Sequence, residues 1–369
     1  MGADRIIYIR TDGNSKIASG HLVRCFSIAQ TCKALGMDVR FLVSDEESAS
    51  LLKEIISMND IQKFPIICLK TARYDHLESE VPEVVSLISD THVTNRDIIY
   101  FIDSYFVTEN YLTALRPFAK VAYLDDLQLF DYPVDLLINY DVIPDPVMPS
   151  YKAAYQNAGQ LLLGALYTPL RSQFQNREIT VKEQVSDILV TTGGSDPYHF
   201  CIKLIQYLCK SVQDMAIGFL KETIFSAKNL HIVIGKLNTD KDALYRLAKK
   251  YPFLQLHENV SDMASLMGHC DLAVSASGTT LYELCALGVP TISFTMADNQ
   301  LTSAKAFEAA DAIPYAGDIR IDEEKVLQAV TNFMTSESSY EIRKSAHRAM
   351  RRLVDGNGAM RIADALMKL

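Results

Sequence analysis

Short apolar runs alternate with longer amphipathic stretches through the first half of the chain, and this rhythm is the primary guide to its structure. Ile6–Ile9, Val39–Val43, Ile66–Leu69, Ile98–Ile102, Val121–Leu124 and Leu136–Ile138 are too short for buried helices and are punctuated by polar turns, so they read as strands. The segments between them carry apolar residues at helical spacing, as Leu22, Phe26, Ala29 and Cys32 do. Strands separated by helices imply βαβ units and a mostly parallel sheet. After a stretch punctuated by Pro144, Pro146, Pro149 and Pro169 the rhythm restarts, with Ile188–Val190, Ile232–Ile234, Leu254–Leu256, Leu272–Val274 and Thr291–Phe294 as a second set of strands. Two successive Rossmann-like halves joined near residues 165–180 are expected, with the default ligand site in a cleft between them. Tyr340 to Leu369 reads as helix, the turn Asp355-Gly356-Asn357-Gly358, and helix again.

Composition narrows the class. The 369 residues suffice for two cores, 49% are hydrophobic and 22% charged, and no apolar run approaches the roughly 20 residues of a membrane span. The N-terminus lacks the pattern of a secretory signal, so a cytoplasmic location is expected. Seven scattered cysteines form no C-x-x-C pair and read as buried free thiols rather than disulfides or a zinc site; no metal site is expected. A net charge of −9 and the lack of a basic stripe argue against a nucleic-acid partner. The basic run Arg343, Lys344, Arg348, Arg351 and Arg352 reads as a solvated helix face.

Candidate chemistry lies where strands hand over to helices. Arg10 to Cys25, R-T-D-G-N-S-K-I-A-S-G-H-L-V-R-C, places Gly20 and His21 at such a junction, which in an open α/β sheet faces the ligand crevice. A histidine there titrates near neutrality and can act as a base. Asp12 and Arg24 could orient His21, or pair with each other. Asp103, Asp125 and Asp126 stand at strand ends, where each could cap a helix or close a turn; Asp103 with Asp125 or Asp126 could bind Mg²⁺, but no D-x-D spacing supports a dedicated metal site.

In the second half, Ser277-Gly278-Thr279-Thr280 opens a helix ending at Gly288-Val289-Pro290. Its amides could receive a diphosphate, with Glu283 accepting from a ribose hydroxyl; alternatively Thr280 and Glu283 form a capping box. Gly193-Gly194 implies close approach of a partner loop or a phosphate, and Asp196 with Pro197 suits a helix start. Asp298-Asn299-Gln300 is either turn chemistry or a polar edge of the cleft. His199 falls inside a predicted helix, and His231, His257 and His269 border apolar runs as structural histidines.

These segments, with I-D-S-Y, Y-L-D-D, D-L-L-I-N-Y, P-L-R-S-Q-F, L-V-T-T-G-G-S-D-P, S-A-S-G-T-T-L-Y-E-L, A-D-N-Q and D-G-N-G-A-M-R-I, occur in one order over nearly the whole chain. Together they resemble the UDP-2,4-diacetamido-2,4,6-trideoxy-β-L-altropyranose hydrolases of pseudaminic acid biosynthesis, relatives of the spore-coat polysaccharide proteins and of the lipid II glycosyltransferase. The resemblance implies a GT-B fold, α/β, of two Rossmann-like domains whose parallel sheets face a central cleft. Residues 1–168 would form the sugar-side domain, 169–345 the UDP domain, and 346–369 helices packing back on the first. The family's catalytic histidine falls on His21, its cleft tyrosine on Tyr105 and its cleft asparagine on Asn299. Diphosphate contacts fall on Ser277, Gly278 and Thr279, with Gly20, Gly193, Gly194 and Thr280 nearby, and the ribose acceptor on Glu283. A UDP-linked amino sugar is the implied substrate, with no cofactor and no metal; a glycosyltransferase on the same fold is the alternative. Ala18 stands where the family's loop has its first glycine, and the chain carries extra sequence near 45–75 and 211–229.

Overall fold

A computed structural model describes residues 5–17, 19–59, 63–91, 97–214, 228–335 and 340–369. Ala18 and most of the extra segment at 211–229 lie outside them. The chain forms two compact units, residues 1–172 with 356–369, and residues 173–355.

The first unit holds seven strands: β1 (Ile6–Thr11), β2 (Asp38–Val43), β3 (Ile66–Cys68), β4 (Ile98–Asp103), β5 (Lys120–Leu124), β6 (Leu136–Asn139) and β7 (Gln160–Leu163). All pair in parallel, in the order β3-β2-β1-β4-β5-β6-β7. The central strands β1 and β4 are buried along their whole length, which is why they read as continuous apolar runs. β7 was not expected: Q-L-L-L is short, half-buried and follows a glycine, so it carries little periodic signal. The helix Gly20–Ala34 returns the chain from β1 to β2 and packs against the closing helix Gly358–Leu366. Gly358 is required there, because a Cβ would sit 2.1 Å from the carbonyl oxygen of Thr168.

The second unit repeats the plan with β8 (Asp187–Thr191), β9 (Asn229–Ile234), β10 (Leu254–Glu258), β11 (Leu272–Ala276), β12 (Thr291–Thr295) and β13 (Tyr315–Asp318). Their order, β10-β9-β8-β11-β12-β13, is that of a dinucleotide-type Rossmann sheet, again parallel. The unexpected β13 contains Gly317 at φ +124° and meets β12 through an irregular register, which hides it from pattern reading. The helix Tyr340–Leu353 belongs to this unit and packs on Thr280–Leu287; only Gly358–Leu366 joins the first unit. The chain therefore changes unit at Gly356 (φ +84°) rather than near 346.

Candidate active site

In the first sheet the strand order reverses direction between β1 and β4, and this switch point opens a crevice at the carboxyl ends of the strands. Thr11, the last residue of β1, is in register with Asp103, the last of β4. The helix beginning at Gly20 brings His21, Arg24 and Cys25 to one face by their i, i+3, i+4 spacing. All three converge on Asp103. His21 Nδ1 lies 2.6 Å from Asp103 Oδ1, Arg24 donates through Nε (2.6 Å) and Nη2 (2.5 Å) to the two carboxylate oxygens, and Cys25 Sγ lies 3.3 Å from Oδ2. Arg24 also donates to the Tyr140 hydroxyl (2.6 Å) and pairs with Asp126 at 2.7 Å.

Burial by itself would raise the Asp103 carboxyl, but Arg24 and His21 outweigh it and hold the group well below the ordinary carboxylate range. Ionised Asp103 accepts the Nδ1 proton of His21, which fixes the tautomer and leaves Nε2 as a base. Tyr105 stands edge-on to the imidazole, with ring centroids 4.4 Å apart, and is 42% exposed, whereas His21 is almost fully buried. A buried base beside a half-exposed phenol is an arrangement that can position and deprotonate a small nucleophile.

Sequence reasoning assigned the helper residues differently. Asp12 does not reach His21 and does not pair with Arg24. It bonds Arg10 at 2.5 Å and accepts from the Ser44 amide at 2.7 Å, tying β1 to the loop after β2. Arg10 in turn forks onto buried Glu80 at 2.8 and 2.9 Å. The other strand-end aspartates have protein partners of their own. Asp125 closes a turn by accepting from the Leu127 and Gln128 amides and the Tyr132 and Tyr155 hydroxyls, while Asp126 faces Arg24. The orienting carboxylate is Asp103, 82 residues from His21, and no local spacing could have revealed that pairing.

In the second unit the helix Thr280–Leu287 follows β11, with Thr279 at its N-cap and no side-chain cap, so the Thr280–Glu283 capping box does not form. Gly278 and Thr280 are half-buried, Thr279 is exposed, and Glu283 is half-buried. Ser277 is different: it is buried, its amide and its hydroxyl both donate to the Phe294 carbonyl at 2.9 Å, and the Gly278 amide donates to the Ala276 carbonyl at 2.8 Å, so any anion cradle at this turn rests on the amides of Thr279 and Thr280. Gly193, at φ +80°, and Gly194 follow β8, and a Cβ on either would meet open space. The close approach comes from Gly235, whose Cβ would lie 2.2 Å from the Gly193 carbonyl oxygen. Beside this turn Thr192 Oγ1 is buried and has no hydrogen-bond partner among the described residues. Asn299 lies exposed in a short turn, next to Gln300, which accepts from the Met296 amide.

Two further expectations change. His199 precedes the helix Phe200–Asp214 in a left-handed conformation (φ +57°), bonded to Asp240; Asp196 caps that helix from four residues upstream through the amides of Phe200 and Cys201. The basic run is a solvated face only in part: Arg348 and Arg352 are exposed and Lys344 is half-buried. Arg343 is buried and donates to the Lys182 and Glu183 carbonyls, Arg351 donates to Ala286, and Arg348, Arg351 and Arg352 line a cleft of about 450 Å³ with His347 and Glu178.

Residues 188–356 match the glycosyltransferase family 28 C-terminal domain. The chain is 31% identical to the Bacillus subtilis spore coat polysaccharide biosynthesis protein SpsG, over 56% of this chain and 58% of that protein. It is 23% identical to the Helicobacter pylori pseudaminic acid cytidylyltransferase and UDP-2,4-diacetamido-2,4,6-trideoxy-β-L-altropyranose hydrolase, over 79% of this chain and 44% of that protein. The chain thus spans about half the length of the curated relatives it matches. Among solved structures, Acinetobacter baumannii MurG superposes with a TM-score of 0.65 at 14% identity, covering 99% of this chain and 100% of the other. The fold is therefore GT-B, two Rossmann-like units with parallel sheets. Within that class, the chain is a distant relative of SpsG and of the pseudaminic acid enzyme.

Proposed function

We propose that this protein hydrolyses a UDP-activated 2,4-diacetamido-2,4,6-trideoxy hexose. Water attacks the anomeric carbon, the bond from that carbon to the diphosphate oxygen breaks, the water proton passes to His21 Nε2, and UDP departs. The observation that carries this reading is the buried His21–Asp103 pair at the switch point, clamped by Arg24 and flanked by Tyr105. It is supported by the distant relationship to the Helicobacter pylori enzyme, whose name includes that hydrolase. A diphosphate is a good leaving group, so what remains to the protein is to place a base and to stabilise growing charge. Within the second unit, the amides of Thr279 and Thr280, the Gly193-Gly194 turn and the unpartnered Thr192 hydroxyl suit that charge, and Glu283 would take the ribose. Asn299 and Tyr105 would orient sugar or water. The chemistry needs no metal at the anomeric carbon, and turnover should survive exhaustive chelation.

A transferase reading has its own support in the glycosyltransferase family 28 match and the likeness to MurG. Incubation with a panel of UDP-linked di-N-acetylated trideoxy sugars, without acceptor, separates the two. Hydrolysis predicts stoichiometric UDP and free sugar; UDP release only on adding an acceptor would establish transfer instead.

A further inference from the structure

The second sheet carries a group of side chains at the opposite end of β8 from the Gly193-Gly194 turn. Asp187 opens β8, His231 lies in β9, His257 in the neighbouring β10, and His269 ends the helix Met263–His269. Asp187 Oδ1 is 2.9 Å from His231 Nε2 and 3.6 Å from His269 Nε2. One donor atom from each of the three lies within 4.8 Å of the others.

We propose that Asp187, His231 and His269 form a binding site for a zinc-class divalent cation. Two imidazoles and a carboxylate are the donor set such an ion prefers, and three protein ligands leave one position for water. Tetrahedral ligands held at about 2.0–2.2 Å stand roughly 3.3–3.6 Å apart, so Asp187 Oδ1 and His231 Nε2 need to open slightly while His269 settles onto the ion. His269 can supply that adjustment, because its side chain is 62% exposed, while His231 is anchored and buried at 5%.

The surroundings distinguish this group from a chance surface pair. His231 Nδ1 is 3.0 Å from His257 Nε2, and the two rings stack at 22° with centroids 5.2 Å apart. If Nδ1–H donates to His257, His231 presents an unprotonated Nε2 to the ion, the usual arrangement for a ligating histidine whose second nitrogen is held by a neighbour. Asn229 Nδ2 donates to Asp187 Oδ1 at 2.9 Å and fixes the carboxylate. Lys182, the nearby cation, is paired with Asp271 at 2.8 Å. An ion here would join β8, β9 and the end of the Met263–His269 helix, and so raise stability by mass action.

The test uses the full chain, stripped by chelator and dialysed against Zn²⁺ alone. The expected result is one bound equivalent per chain, a higher melting temperature, and visible absorption bands when Co²⁺ replaces Zn²⁺. His269→Ala should weaken Zn²⁺ binding by more than about 10-fold, and His257→Phe by about 10–100-fold through loss of the second-nitrogen contact. His199→Ala, at a distinct His–Asp pair, should bind as wild type does. Absence of stoichiometric Zn²⁺ in the wild type, or unchanged affinity in His269→Ala, would overturn the assignment. Should either variant fail to fold, side-chain ¹⁵N spectra of the wild type decide: Zn²⁺ must move the Nε2 resonances of both His231 and His269, and unmoved resonances refute the site.

Discussion

Asp103 joins three roles in one carboxylate. It fixes the His21 tautomer, neutralises Arg24 and closes the face of the helix that follows β1. Asp103→Asn keeps the shape but presents an amide where Nδ1–H needs an acceptor, so turnover should fall about 10²–10⁴-fold with UDP binding retained. His21→Asn should lose a similar factor, and a double variant should lose little more than either single, because the two act as a unit. Near-wild-type turnover in purified His21→Asn would refute His21 as the base. Asp103 also predicts an acid limb. Its folded pKa is lowered, so its contribution to stability is complete above the ordinary carboxylate pKa and is lost as pH falls below that value. Asp141 runs the other way: burial first, then the negative charge of Asp126, push it up to about 6. Its folded form holds a proton that the unfolded chain releases, so stability declines as pH rises from about 4 to 6 and stays lower above that range. Asp141→Asn should therefore raise the melting temperature at pH 8 and flatten its slope between pH 4 and 6, read by thermal melts across pH.

Among elements, the glycine turns separate those needed for packing from those left open. Gly193 and Gly194 read as a close-approach signal, yet the close approach is made by Gly235 from the end of β9, against their backbone. Gly235→Ala should destabilise the second unit by roughly 1–3 kcal/mol, because backbone cannot retreat as a flexible side chain can. Gly194→Ala should be tolerated for stability, since a Cβ there meets nothing, and denaturant unfolding of the two variants tests the contrast. The long strands were legible because burial on both faces makes them continuous apolar runs. β7 and β13 were not, because one is half-buried and the other is broken by Gly317. The basic run is legible only in part for a related reason: a charge pattern on a helix says nothing of which carbonyls lie opposite, and Arg343 is buried against those of Lys182 and Glu183 while Arg348 and Arg352 stay exposed.

At the scale of the molecule, the first unit is completed by the last residues of the chain. Gly358–Leu366 packs on Gly20–Ala34, the helix that carries His21, and Gly358 sits against Thr168. Truncation after Asp355 should lower the melting temperature of the first unit and leave the unfolding of the second little changed, which calorimetry of the full and shortened chains can resolve. The sequence by itself determined what depends on local periodicity: the alternation of strand and helix, the division into two Rossmann-like halves, the closing pair of helices, and the strand-to-helix junctions where chemistry belongs. It placed His21, Tyr105 and the Gly278–Thr280 turn at such junctions because those positions follow directly from where strands end. Only the tertiary structure decided partnership. Asp103 belongs with His21 because β1 and β4 are neighbours in the sheet, and Asp187, His231 and His269 meet because β8, β9 and one helix end converge. Strand order and helix packing set those pairings across tens of residues, and no spacing along the chain encodes them.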